Sequence, residues 1–337
     1  MKVALLREPR QQPPAPGREI RISRLRSWIT DDPDVDVEDV TIEEPPGAAS
    51  KLARVRAAAR LVRSGALDGY DVIVVAGFGS AHMLWASWFL SRRHRVVLDV
   101  CDSVWLSLTS STRHRAWGSA AGYVVALWTL GLASRRTRLV YISEKDVAAD
   151  RWLTGAARST VVSPSIVPDL LELRAYKGPP QRIVVPADLR SYHNSVGFQW
   201  LGDLLSGGLD VGVPIEVYGP AADGLTLPPG VRHMGWAPRL SDVYDGETAV
   251  FAPNLAPQGV QNKVWEAMCA GRPVLVGDRA AGAFAARPNV LTYSSRDDLA
   301  AALRALARIR DTEDDFRVDR MAPPEISFRA VTRSEVR

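Results

Sequence analysis

Short, unbroken apolar runs rich in β-branched residues recur along this chain, each followed by a turn and then by a helix-length stretch. Lys2–Leu6 opens the series, and Val35–Val40, Asp71–Ala76, Val96–Val100 and Leu139–Ile142 continue it. Arg182–Val185, Ile215–Tyr218, Ala249–Pro253 and Val274–Val276 repeat it in the second half. A strand buried on both faces shows no polar alternation. Such strands, interleaved with helices, predict mostly parallel sheets covered by helices on both sides. The series restarts after Tyr176-Lys-Gly-Pro-Pro, so two α/β halves joined near residue 178 are expected. The length, 337 residues, is more than one core ordinarily fills and suits two.

Composition narrows the function classes. With 46% apolar and 24% charged residues the chain is of ordinary soluble-globular type. Its net charge of +4 comes mainly from arginine, clustered in Lys51–Arg63, Arg92–Arg95, Arg113–Arg115 and Arg135–Arg138. These clusters read as solvated helix faces or as a patch for anionic ligands or an anionic membrane surface. Zinc-finger spacing, aromatic-basic ribonucleoprotein motifs and basic tails are missing, which argues against nucleic acid. Cys101 and Cys269 lie far apart in apolar segments, as buried free thiols do, and neither has metal-ligand spacing. The first apolar run is too short for a signal peptide and reads as a buried strand. Ala116–Ser134 carries no charge and is flanked by arginines. Gly118, Ser119, Gly122, Thr129 and Gly131 dilute it, so a buried or half-buried helix is expected, with membrane-surface contact as the alternative.

The segment from Ala249 to Gly277 holds the densest chemistry. A buried strand feeds a loop containing Gly259, and a helix follows from near Asn262 to a stop at Gly271. Backbone N–H groups around Gly259–Asn262, together with the helix dipole, make a phosphate site. Asn262, Lys263 and Glu266 share one helix face, while Trp265, Met268 and Cys269 fall on others. A carboxylate one turn inside such a helix can accept both hydroxyls of a ribose, and Lys263 can offset its charge. The residues by themselves equally allow Lys263 and Glu266 to be a surface pair on a plain helix.

Trp265-Glu-Ala-Met-Cys-Ala-Gly-Arg-Pro273 resembles the donor-binding run of GT-B retaining glycosyltransferases (glycosyltransferase family 4, group 1-like). Gly259-Val-Gln-Asn-Lys263 resembles a branch of that family with Gly-Ile-Gln-Asn-Lys. The likeness extends to Ile183–Trp200, with Asn194 at the helix start, and to Val217-Tyr-Gly219-Pro and His233-Met-Gly235-Trp. In the first half it touches Leu98-Asp-Val-Cys-Asp102 and Tyr141-Ile-Ser143-Glu. Ile326-Ser-Phe328 resembles the start of a final helix that crosses back to the N-terminal domain.

The resemblance implies an α/β, GT-B fold: two Rossmann-like domains facing each other across a cleft. The expected divisions are residues 1–176 on the acceptor side, 177–312 on the donor side, and a returning tail at 313–337. It implies a hexosyltransferase-like enzyme moving a sugar from a UDP- or GDP-type donor to an acceptor hydroxyl or amine, with retention, without metal and without a separate cofactor. The alternative is a non-catalytic relative that binds a nucleotide or a partner protein. Carried over by position, Glu266 would bind the ribose. Gly259, Val260 and Gln261, beside Asn262, would hold the distal phosphate or the sugar. Lys263 and Arg190 would neutralise phosphate, Gly235 and Trp236 would meet the base, and Asp102 would lie near the transferred sugar. A lipid-linked glycan, a polysaccharide or a small natural product would serve as acceptor. The expected setting is the cytoplasm, with peripheral contact at the inner membrane face as an extension.

Two departures stand out. Gln258, eight positions before Glu266, replaces the first glutamate of the family's pair, keeping hydrogen-bonding shape but losing charge. The loop after the first strand, Arg7–Gly17, lacks the family's glycines, leaving Arg18 or Arg21 as substitutes for phosphate contact. Gly77-Phe-Gly79 is no dinucleotide fingerprint, because the third glycine would fall at His82. His82 and His193 read as structural or surface residues.

Overall fold

The computed structural model describes residues 1–8, 16–42, 51–78, 80–113, 117–155, 159–162, 168–174, 176–190, 192–221, 226–255, 261–285, 287–310 and 327–333. It divides into two compact units, Met1–Ser165 with Pro324–Arg337, and Ile166–Pro323.

Unit 1 runs β1 (Lys2–Arg7), α1 (Pro16–Thr30), β2 (Asp36–Thr41), α2 (Lys51–Arg63), β3 (Val72–Ala76), α3 (Ala81–Leu90) and β4 (Arg95–Cys101). It continues with α4 (Val104–Arg113), α5 (Trp117–Ala133), β5 (Arg138–Tyr141), α6 (Glu144–Thr154) and β6 (Ser159–Val161). The strands form one parallel sheet in the order β2-β1-β3-β4-β5-β6. Side chains alternate between two cores: Ala4, Leu6, Ile73 and Val75 face one way, Val3, Leu5, Val72 and Val74 the other. Helix α1 begins at Pro16, inside the stretch expected to be loop, because proline needs no N–H partner in a first turn.

Unit 2 holds α7 (Pro168–Leu171), β7 (Arg182–Pro186), α8 (Tyr192–Ser206), β8 (Ile215–Tyr218), β9 (Val231–Gly235) and α9 (Leu240–Tyr244). Then come β10 (Thr248–Ala252), α10 (Asn262–Cys269), β11 (Val274–Gly277), α11 (Asp278–Ala281), β12 (Val290–Tyr293) and α12 (Arg296–Leu306). Its parallel sheet has the order β12-β11-β10-β7-β8-β9. Helix α12 is capped by Ser295, whose Oγ accepts from the Asp298 N–H. The units divide ahead of the Pro-rich stretch near residue 178 because Leu170 is buried with Val243, Val250 and Val264 of unit 2.

A last helix, α13 (Phe328–Arg333), belongs to unit 1. Phe328 meets Trp28 edge-on at 5.1 Å, and Arg329 pairs with Asp32 at 2.6 Å and Asp34 at 3.0 Å.

Ligands of open parallel sheets sit outside the strand carboxyl ends where the strand order reverses. In unit 1 that point lies between β1 and β3, and in unit 2 between β7 and β10.

Candidate functional site

The reversal point of unit 2 is where the chemistry collects. Chain leaving β7 turns at Ala187–Arg190 and enters α8, whose Gly197 lies against the chain leaving β10. A Cβ at Gly197 would stand 2.0 Å from the Pro253 carbonyl oxygen, so only glycine allows this approach. One turn earlier on α8 is Asn194, which reaches α10. Its Nδ2 donates to the Asp188 carbonyl at 2.9 Å, and its Oδ1 accepts from Lys263 Nζ at 2.6 Å. The two partners fix which way the amide points.

Helix α10 buries Val264, Trp265, Ala267, Met268 and Cys269 and leaves Asn262, Lys263 and Glu266 half-buried on one face. Loss of water lowers the Lys263 ammonium to about 8, against the pull of the Glu266 and Asp188 charges. Loss of water raises the Glu266 carboxyl to about 7, opposed by a hydrogen bond from Tyr244 and by the Lys263 charge. Tyr244 Oη donates to Glu266 Oε2 at 2.7 Å. Tyr244 is fully buried at the end of α9, and its carbonyl accepts from Arg272 Nε at 2.8 Å. A polar line therefore runs from Asp188 through Asn194 and Lys263 to Glu266 and Tyr244. Shifted titration of two opposite charges at a sheet reversal point marks a candidate binding site. The surface-pair alternative does not describe this half-buried arrangement.

The other expected residues fall unevenly. Gln258, Gly259 and Val260 lie outside the described residues, while Gln261 sits at the N-cap of α10. Gly235 ends β9 in the left-handed region (φ 70°), and its carbonyl accepts from the Gly219 N–H at 2.8 Å. Trp236 next to it is 68% exposed, while Ala237 and Leu240 pack on the same core as α10. Arg190 is turned away from a phosphate role as it stands. Its Nε and Nη2 donate to Asp188 at 2.9 and 2.8 Å, so it neutralises a carboxylate two residues away. Asp188 and Tyr244 carried no signal in the sequence. Tyr244 meets Glu266 across 22 positions, and only packing of α9 on α10 brings them together.

Asp102 lies in unit 1 at the end of β4. The β4–β5 register shifts there, and Cys101 takes a φ of 66°, a strained value for a residue with a side chain. Two carboxylates of α6 hold that backbone. Asp146 accepts from the Ser103 N–H at 2.8 Å, and Asp150 accepts from Ser103 Oγ at 2.6 Å and from the N–H groups of Val104 and Trp105 at 3.1 Å. They cap α4 and so fix the Asp102 position. Burial, reinforced by the Asp146 charge, raises the Asp102 carboxyl to about 7 against the opposing Arg21 charge. Cys101 is partly buried rather than fully buried as expected, and it pairs with Tyr141 of β5 at the register shift, whereas Cys269 is buried.

The arginines proposed to replace the missing glycines have other partners. Arg21 is buried and donates to Asp99 at 2.6 and 3.2 Å and to the Val162 carbonyl, tying strand ends together. Arg18 pairs with Glu8 at 2.6 Å. His82 Nε2 lies 2.8 Å from the other Glu8 oxygen, so His82 is part of a structural cluster at the reversal point of unit 1. Burial alone would raise the Glu8 carboxyl; the His82 hydrogen bond and the Arg18 charge outweigh it and hold it at about 2. The His193 side chain lies outside the described residues.

No protein-family model matches the sequence, and no curated protein sequence matches it either. Solved structures do match the fold. HepE of Anabaena, solved with UDP and glucose, superposes with a TM-score of 0.60 at 18% identity, covering 90% of this chain and 89% of that one. The lipopolysaccharide outer core galactosyltransferase WaaB, in its apo form, matches with a TM-score of 0.57 at 14% identity over 91% and 90% of the two chains. A putative UDP-N-acetylglucosamine 2-epimerase from Listeria monocytogenes matches with a TM-score of 0.57 at 11% identity over 91% and 90%. The chain has the GT-B fold of these structures, two Rossmann-like domains each built on a six-stranded parallel sheet.

Proposed function

We propose that this protein is a glycosyltransferase that moves a sugar from a nucleoside diphosphate sugar to an acceptor hydroxyl or amine. The observation that carries this reading is the half-buried Lys263–Glu266 face of α10 at the β7/β10 reversal point, with Lys263 held by Asn194 at 2.6 Å. The N-terminus of α10 and Lys263 would take the diphosphate, and Glu266 would take the ribose diol. Gly235 and Trp236 would meet the base, the Trp236 ring offering a stacking surface. The amides of Gly259 to Gln261, beside Asn262, would hold the distal phosphate or the sugar.

Cleavage of the sugar–phosphate bond leaves growing negative charge on the diphosphate. A cation and helix N–H groups already pointed at that position stabilise it without reorganising. Such a leaving group needs little acid catalysis, and its own oxygen can take the acceptor proton on the same face, which retains the anomeric configuration. Asp102 would lie near the transferred sugar. Its carboxyl, raised to about 7, would donate a hydrogen bond to a sugar hydroxyl when protonated and accept one from it when ionised. Arg190 would have to leave Asp188 to reach a phosphate. Free thiols at Cys101 and Cys269 favour a reducing, cytoplasmic setting.

Incubation with UDP- and GDP-sugars and a panel of lipid-linked, polysaccharide and small-molecule acceptors tests the proposal. Glycosylated product, lost on Glu266→Ala, is expected. Gln258 in place of the expected glutamate favours a second reading, a relative that binds nucleotide without turnover. Tight nucleotide binding with no product and no released sugar across the panel would select it. An epimerised nucleotide sugar formed without acceptor would overturn both.

A further inference from the structure

Helix α5 is apolar on two faces, and among the described residues only one of them is packed into a core. Ala126, Leu127, Leu130 and Ala133 are buried in the unit 1 core. The opposite stripe consists of Trp117, Ala121, Val124, Val125 and Trp128, all exposed and spaced as one helical face. Trp117 and Trp128 are each 67% exposed, and Val124 and Val125 more than half. The 17 residues of α5 contain no charge. A solvent-facing helix side ordinarily carries charged and polar residues, so this one is unsatisfied in water.

The neighbouring helices extend the surface. Trp152 of α6 is 65% exposed and meets the part-exposed Trp105 of α4 edge-on at 5.5 Å. Between α5 and α6 lies a shallow hollow lined by Trp128, Gly131, Leu132, Arg135, Leu153 and Gly155. Gly131 lets Leu153 approach α5 closely; a Cβ there would stand 2.9 Å from the Leu153 side chain. Arg135 and Arg136, both exposed, close the C-terminal end of α5, and Arg151 is exposed beside Trp152. Exposed tryptophans beside arginines, with no acidic group on the stripe, match the two layers of an anionic bilayer surface. Indole rings settle at the headgroup level, and guanidinium groups attract anionic phosphates. Among the described residues no helix is long and apolar enough to cross a membrane, so contact would be along the surface.

We propose that the α5 stripe, with Trp152 and the arginines at its C-terminal end, is a docking face for an anionic phospholipid bilayer. The proposal is independent of the donor site in unit 2.

Co-sedimentation of the full chain with phosphatidylcholine vesicles, and with vesicles containing phosphatidylglycerol, tests it. The chain should sediment with the anionic vesicles and its tryptophan emission should shift to the blue. Trp117→Ser with Trp128→Ser should weaken binding about tenfold or more, as should Arg135→Glu with Arg136→Glu at roughly fivefold per arginine. An unchanged circular dichroism spectrum and an unchanged thermal unfolding midpoint would show that both variants fold. Failure of the folded wild-type chain to bind anionic vesicles overturns the proposal, as does equal binding by the Trp117/Trp128 variant. A lipid-free dimer that this variant turns monomeric also overturns it, since a second copy would then cover the face.

Discussion

Lys263 of α10 and Asn194 of α8 are joined by a 2.6 Å hydrogen bond between the ammonium and the amide oxygen. Through it the helix after β7 holds the helix after β10, across the point where the sheet order reverses. The same amide is tethered to the Asp188 carbonyl, so the ammonium is held in place before any ligand arrives. Charge-assisted hydrogen bonds of this kind are worth about 1.5–3 kcal/mol.

Asn194→Ala should leave the fold intact and weaken nucleoside diphosphate binding roughly tenfold, the cost of losing one positioning hydrogen bond to a charge. Lys263→Met should weaken it more, because the charge itself is lost. Titration calorimetry with UDP and GDP measures both.

Nucleotide binding should follow a narrow bell in pH. On the proposed assignment, ribose binding requires Glu266 ionised, so affinity should rise as pH approaches about 7, and phosphate binding requires Lys263 protonated, so affinity should fall above about 8. Glu266→Gln should remove the acid limb and keep the alkaline one. Dissociation constants measured from pH 5.5 to 9.5, as an assay range of about four units, check this.

Tyr244→Phe removes the hydroxyl that donates to Glu266 at 2.7 Å. The Glu266 carboxyl should then rise further, because that hydrogen bond favours the anion. The acid limb of the binding profile should move to higher pH, with a stability loss of about 1 kcal/mol.

Gly197→Ala should force α8 away from the Pro253 carbonyl, since its Cβ has only 2.0 Å of room. A loss of roughly 1–3 kcal/mol is expected for overpacking. Nucleotide binding should weaken as well, because Asn194 would move with the helix. Urea denaturation and calorimetry on one preparation separate the two effects.

Glu8 contributes acid-sensitive stability. Its folded-state carboxyl lies at about 2 against an ordinary 4.5, so the contribution is present above 4.5 and is lost as pH falls toward 2. Glu8→Gln should lower stability at pH 7 by roughly 1–3 kcal/mol, through unsatisfied groups at His82 and Arg18. It should also flatten the decline between pH 4.5 and 2, which denaturation at a series of pH values would show.

What the sequence determined by itself is local. Unbroken β-branched runs such as Val72–Ala76 and Thr248–Ala252 specify buried strands, and the spacing of Val264, Ala267 and Met268 specifies the buried side of α10. These follow from neighbouring residues a few positions apart, so the two-unit α/β plan and the face carrying Lys263 and Glu266 were legible. Only the tertiary structure decided that β7 lies beside β10, that Asn194 takes Lys263, and that Tyr244 takes Glu266. It also turned Arg190 onto Asp188, buried Arg21 on Asp99, and left one apolar face of α5 in solvent. Strand order and helix packing depend on contacts between distant residues, which leave no period in the sequence. A single approach such as Gly197 against Pro253 can therefore set a site that no nearby residue announces.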